Sequence, residues 1–443
     1  MKKLDPTKSV YFHVILLIST LVLISVGSAF SQARSLPDMY SEVNGYTKKR
    51  MDELLASGKK LTADTRKDIE GERKDLAIKY ATEAAARTDL QKTDFYYLGM
   101  LYSVAGDDEK NLATMKKFLS EYPADIKSDA IQYARAQIIA QSARHKQLAD
   151  AEDYFAQWQK GSPAQPEQQP ILENAMAAGY FKSGQFDPAV KHAQSAFDLL
   201  KTLKPRSVAE KREREQIYMN LVEVLALSYR KSKNNEKALD VLAEARAQSF
   251  AIPSANLYRK VMDFVEGSGF SEKKLMQKVE SYASADPAPN IQIEDWIGRD
   301  PVTLEKLRGK VVLLDFWMTW CGPCISTFPR LRGWYKKYSD KDLVLVGVTQ
   351  YEGSKEGKRL SPLQELDFIK TFKEKYNMTY PIAIVRPGET SKFGIAAFPT
   401  TVLLDRNGVV RYIGIGSGGE EAGNLEGMIN EVLKEAPKTA SVR

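Results

Sequence analysis

A chain of 443 residues is too long for one hydrophobic core. Its composition, 43% hydrophobic and 27% charged, is that of a folded globular protein and excludes disorder or a collagen-like array as the main theme. The net charge of +7 (64 basic against 57 acidic side chains) is spread along the whole sequence, which excludes the clustered basic face of a nucleic-acid binder. Three histidines and two cysteines, Cys321 and Cys324, leave no room for a disulfide scaffold or a four-cysteine zinc site, and no metal or other cofactor is expected.

The N-terminus opens with Lys2, Lys3 and Lys8, followed by an apolar run from Val10 to Val26 and the small-residue stretches Gly27-Ser28-Ala29 and Ser31-Gln32-Ala33. This order reads as a secretory signal over residues 1–33, either cleaved or retained as an N-terminal anchor through residues 10–26. The rest of the chain is then expected outside the cytoplasm, in the periplasm. In that oxidising setting an exported protein ordinarily spends cysteines on structure. This one spends none, and two cysteines three apart suggest a redox pair.

Residues 34–285 are rich in Ala, Lys, Glu, Gln and Leu, which predicts helices throughout. Within them, Ala177-x-x-Tyr180 with Ala189, Ala193 and Ala196 has a near copy in Ala226-x-x-Tyr229 with Ala238, Leu242 and Ala245. Weaker copies run from Leu98-Gly99-x-x-Tyr102 to Pro123, and from Ile139, Ala151 and Phe155 to Pro163. The equivalent positions fall at 102, 142, 180 and 229, an irregular period. The pattern resembles tetratricopeptide repeats, in which small residues bring antiparallel helices together; a generic alanine-rich bundle is the alternative.

Asp286-Pro287-Ala288-Pro289-Asn290 marks a boundary, because two prolines in three residues cannot continue a helix. Beyond it, residues 291–443 change pattern. Val311–Leu314 and Leu343–Val348 are continuous apolar runs, as in strands buried on both faces. Leu363–Tyr376 reads as an amphipathic helix, and Thr400–Asp405 with Val409–Ile413 as a hairpin around Arg406-Asn407-Gly408. The expected architecture is therefore multidomain: an all-α helical-hairpin region, then an α/β domain with a mixed sheet.

The first buried run leads into Trp317-Met318-Thr319-Trp320-Cys321-Gly322-Pro323-Cys324, and a helix follows. At a helix start, unpaired amide N–H groups and the helix dipole favour an anion, so Cys321 should have a lowered pKa and supply the attacking thiolate. Pro323 is tolerated in the first turn, and Cys324, one turn on, can bond to Cys321. Asp315 is an acid inside a strand buried on both faces, so its pKa should be raised unless it is paired.

Residues 288–434 resemble the exported thioredoxin-fold oxidoreductases of the TlpA/ResA type. The Trp-Cys-Gly-Pro-Cys core carries the resemblance, with the lead-in Leu307-Arg308-Gly309-Lys310-Val311-Val312, the loop Phe398-Pro399-Thr400-Thr401, and Leu404-Asp405-Arg406-Asn407-Gly408. The resemblance implies a redox-active disulfide between Cys321 and Cys324 and a cis bond at Pro399. It implies substrate contacts at Trp320, Gly322, Pro323, Phe398 and Pro399, and a proton relay by Asp315 as in thioredoxin. Phe398 is bulkier than the residue usual there. Relatives often carry Glu three residues after the second cysteine, where this chain has Thr327, so no role of that acid carries over. The implied activity is thiol–disulfide exchange on protein substrates, with electrons from a membrane donor and a possible protein partner on the helical repeats. The competing reading is a non-catalytic envelope scaffold in which the thioredoxin domain only docks.

Overall fold

The computed structural model describes residues 34–59, 61–121, 128–161, 163–202, 208–278, 287–355 and 357–435. The segment read as a secretory signal, Pro123 and Asp286 lie outside these residues. Two compact units divide the chain between Ala164 and Gln165.

The first unit is helical: α1 (Leu36–Ala56), α2 (Ala63–Ala85), α3 (Asp94–Ala105), α4 (Asp108–Ser120), α5 (Asp129–Arg144) and α6 (Leu148–Lys160). The helices begin where side chains accept orphan amides. Ser35 accepts from Asp38 N, and Asp107 from Lys110 N. Leu36, Met39, Ala77, Ala81, Leu98 and Leu101 join α1, α2 and α3 in one core. Met100, Met115, Phe118, Ile131 and Ile138 join α3, α4 and α5 in a second.

The second unit continues with α7 (Gln169–Lys182), α8 (Phe186–Thr202), α9 (Val208–Lys231), α10 (Asn235–Ala251), α11 (Ala255–Gly267) and α12 (Glu272–Lys278). The small residues singled out in the sequence lie between the helices. Ala177, Ala189, Ala193, Ala196, Ala226, Ala238 and Ala245 are fully buried, which lets α7 lie on α8 and α9 on α10. Tyr180 stacks on His192, with ring centroids 5.6 Å apart.

The same unit then forms a six-stranded mixed sheet from β1 (Ile293–Ile297), β2 (Val311–Phe316), β3 (Leu343–Gln350), β6 (Ile382–Val385), β7 (Thr400–Leu404) and β8 (Val410–Ile415). A separate two-stranded hairpin, β4 (Ser354–Lys355) and β5 (Lys358–Arg359), follows β3. The sheet order is β1-β6-β3-β2-β7-β8, with β2, β3 and β6 parallel and the others antiparallel to their neighbours. Three further helices are α13 (Gly322–Tyr338), α14 (Pro362–Lys375) and α15 (Gly419–Lys434). The chain is thus a helical array followed by an α/β domain with the thioredoxin fold.

Strand β2 is buried along its whole length, and its side chains alternate between two cores. Val311 and Leu313 face the core that holds Cys321, Cys324 and α13. Val312, Leu314 and Phe316 face a second core, and that core includes Ala255 from α11, with Phe250 and Tyr258 packed against it. The sheet therefore buries part of its second face under the preceding helices. A chain beginning at residue 291 exposes that surface. It is expected to melt at least about 5 °C below one beginning at Gln165, and thermal unfolding of the two truncations checks this.

Candidate active site

Cys321 is the N-cap of α13, in extended backbone, and Cys324 N lies 3.2 Å from its Sγ. The two cysteines form a disulfide with an S–S distance of 2.01 Å. Cys324 is fully buried and Cys321 is only 4% exposed. The surface around the pair is made by exposed Gly322 and Pro323 and by Trp320, 66% exposed. The first turn of α13 carries no acidic side chain, so nothing there opposes a negative sulfur at the helix start.

Asp315 follows Leu313 on the cysteine side of β2 and is completely buried. Neither of its carboxylate oxygens has a hydrogen-bond partner. Burial pushes its pKa up to about 7, opposed only by the Arg330 guanidinium. The surroundings explain how this acid stays dry. In register opposite Asp315 stands Gly347 of β3. A Cβ at Gly347 would come within 3.0 Å of Trp317 Nε1 and 3.2 Å of Tyr380 Cε2. The glycine thus lets two large rings close over the sheet beside the carboxyl. Tyr380 is itself fully buried, and its hydroxyl pKa is raised by burial and then by Asp315.

The Phe398–Pro399 peptide is cis. Phe398 sets its ring edge-on to Trp320, with centroids 6.1 Å apart. Neither its N–H nor its C=O has a hydrogen-bond partner among the described residues. The Pro399 carbonyl accepts from Gly416 N and the Ala397 carbonyl from Thr400 Oγ1. The structure thus gathers Cys321, Cys324, Trp320, Gly322, Pro323 and Phe398 at one end of the sheet, with Asp315 buried on the face of β2 that Val311 and Leu313 turn to the core holding the pair.

Glu352 escaped the sequence reading. Its carboxylate accepts from Trp320 Nε1 at 2.6 Å and from Thr319 Oγ1 at 3.4 Å, tying the loop before Cys321 to the end of β3. Glu365 in turn accepts from the backbone N–H groups of Glu352 and Gly353 and holds that turn. Thr327 is buried and donates to the Cys324 carbonyl. Glu352→Ala should free the Trp320 indole and raise the KM for a protein disulfide about threefold. Trp158, Trp317 and Trp334 are buried and Trp296 is half-buried, so the change in iodide quenching of tryptophan fluorescence between variant and parent reports on this release. Unchanged quenching and unchanged KM would deny Glu352 the role.

Among the described residues no group of three or more His, Cys, Asp or Glu side chains is placed to hold a metal ion. Residues 283–429 match the family model for redoxins. The chain is 32% identical over 130 residues to a thioredoxin-like protein, YneN, of Bacillus subtilis, covering 29% of this chain and 70% of that one. It is 31% identical over 135 residues to the thiol-disulfide oxidoreductase ResA of Bacillus cereus, covering 30% and 70%. The chain belongs to the redoxin family of thiol–disulfide oxidoreductases. Among solved structures, a thioredoxin-family thiol:disulfide interchange protein of Chlorobium tepidum is 22% identical with a TM-score of 0.28, covering 34% of this chain and 98% of that one. A disulfide such as Cys321–Cys324 can chemically take up two electrons and give them back as a dithiol, and the chain is an enzyme of thiol–disulfide exchange acting on protein thiols. Among the described residues no helix is long and apolar enough to cross a membrane.

Proposed function

We propose that this oxidoreductase is exported to the periplasm and works there as a reductant of protein disulfides recruited by its helical region, residues 34–285. The observation that carries the reading is a Cys-Gly-Pro-Cys pair at a helix N-terminus, with a buried, raised-pKa carboxyl on the strand that leads into it.

In the dithiol form, the Cys321 thiolate attacks one sulfur of a substrate disulfide. A mixed disulfide forms and the first substrate thiolate leaves. Asp315, about half ionised at neutral pH, takes in its carboxylate form the proton of the Cys324 thiol; the resulting thiolate attacks Cys321 Sγ and expels the second substrate thiolate. Two electrons have moved to the substrate, and the Cys321–Cys324 disulfide must be reduced again by a dithiol donor, which for an exported protein implies delivery through the membrane. The unpartnered backbone of Phe398 offers an extended substrate segment one N–H and one C=O, while Trp320, Gly322, Pro323 and Pro399 shape the surface around it.

Gly-Pro between the cysteines matches thioredoxin, at the reducing end of the common series. Equilibration with dithiol–disulfide buffers tests the direction. A potential near about −270 mV supports a reductant, and one near about −120 mV reverses the assignment.

A further inference from the structure

The substrate-facing loop is continued on its N-terminal side by residues 389–395, a short 3₁₀ turn (Glu389–Phe393) ending at Gly394. Three groups from the helical array hold this segment. Lys211 of α9 extends its ammonium to the Lys392 carbonyl at 2.9 Å and to the Ile252 carbonyl, at the end of α10, at 3.3 Å. The Asn256 N–H of α11 donates to the Gly394 carbonyl at 3.0 Å, while its side-chain amide donates to Glu215 of α9 at 3.0 Å. Ser254, the N-cap of α11, packs so closely that a Cβ on Gly394 would meet its Oγ at 2.5 Å and its Cα at 3.0 Å. Gly394 is also at φ +58°, in the left-handed region.

The segment leads directly to the site. Phe393 is buried against Phe316 of β2, and Ile395 packs on the same core as Ala255. Phe398, three residues on, is the side chain that packs against both cores of the sheet as well as against Trp320. A half-buried ammonium bridging two carbonyls has no packing role that an apolar side chain could not fill; its donors fix two backbone segments at set distances.

We propose that Lys211 and Asn256 are positioning residues for the redox reaction: the helical array clamps residues 392–394 and thereby sets the height at which Phe398 presents its backbone to a peptide beside Cys321. The clamp acts on binding of an extended protein segment and leaves the sulfur chemistry itself alone. This rests on the reading that peptide substrates pair at Phe398.

The test uses the full chain, recycled by dithiothreitol, with two probes: insulin as a protein disulfide and hydroxyethyl disulfide as a small one. Lys211→Met should raise the KM for insulin about five- to tenfold while the rate on hydroxyethyl disulfide stays within about twofold. Lys211→Arg, which keeps donors for both carbonyls, should restore most of the insulin KM. Asn256→Ala keeps its backbone donor and should show the same split at smaller size, so a poorly folding Lys211→Met does not end the test. Equal kinetics for Lys211→Met and the parent on both probes would overturn the proposal. So would an equal loss on both accompanied by a lower melting temperature, which is what a merely structural lysine gives. Phe398→Pro, which removes the backbone N–H offered to the peptide, separates the two claims: if it leaves the insulin KM unchanged, the reading of the substrate loop fails, whereas a raised KM there with none in Lys211→Met removes only the clamp.

Discussion

Cys321→Ser is expected to abolish disulfide reduction, by on the order of a thousandfold or more, whereas Cys324→Ser is expected to complete the first exchange and stop there. The asymmetry follows from position. Cys321 caps the helix, where amide N–H groups and the dipole stabilise a thiolate, and it lies beside exposed Gly322, Pro323 and Trp320. Cys324 is fully enclosed and reaches only the sulfur of its neighbour. The Cys324→Ser protein should therefore accumulate a covalent adduct with its substrate, seen as a shifted band on non-reducing gels that collapses with reductant. Wild-type turnover in Cys324→Ser would replace the dithiol cycle with a monothiol one.

Asp315→Asn is expected to lose activity and gain stability. With its pKa pushed up to about 7, the native state keeps a proton that the unfolded chain, titrating near 3.8, has already released. The folded state therefore binds more protons across that window, and stability falls as pH rises from about 4 to about 7. The penalty above pH 7 is on the order of 4 kcal/mol. An amide brings its own burial cost, so a net gain of about 2 kcal/mol at pH 8, and none at pH 4, is expected in denaturant titrations. Turnover should fall about a hundredfold, mainly in the step that resolves the mixed disulfide, because Asn cannot take the Cys324 proton. A variant with parental stability at both pH values, or parental rates from pH 6 to pH 9, would make Asp315 a bystander.

The parts of this site legible in the sequence share a property: each is a local exception to its surroundings. Asp315 interrupts an apolar strand, and Cys321 and Cys324 are the whole thiol content of the chain. The buried strands β2 and β3 announce themselves as unbroken apolar runs, and the helix read at 363–376 is α14, Pro362–Lys375. What escaped is assembled from distant segments. Gly347 on β3, Arg330 on α13 and Tyr380 in the loop before β6 are far apart in sequence, and nothing in their own neighbourhoods marks them as the enclosure of one carboxyl. Strand β1 was missed because Glu294 and Asp295 break its apolar content, as suits an edge strand paired only with β6. The seat of α11 on the sheet is made by Ser254, Ala255, Asn256 and Gly394, small or polar residues with no periodic signature.

With two cysteines three apart and no other thiol, the unfolded chain has a single internal disulfide available to it. The loop that this bond closes is so short that it constrains the denatured ensemble very little. Oxidised and reduced denatured chains are then nearly equivalent reference states, and a thermodynamic cycle closes through them. The difference in unfolding free energy between the two native forms equals the shift of the pair's potential from that of an unstructured dithiol, at about 1.4 kcal/mol for each 30 mV. A reductant requires the oxidised native form to be the more stable of the two. Two denaturation curves, one taken with excess dithiol and one without, therefore measure the electron affinity of the folded site with no redox standard in the tube.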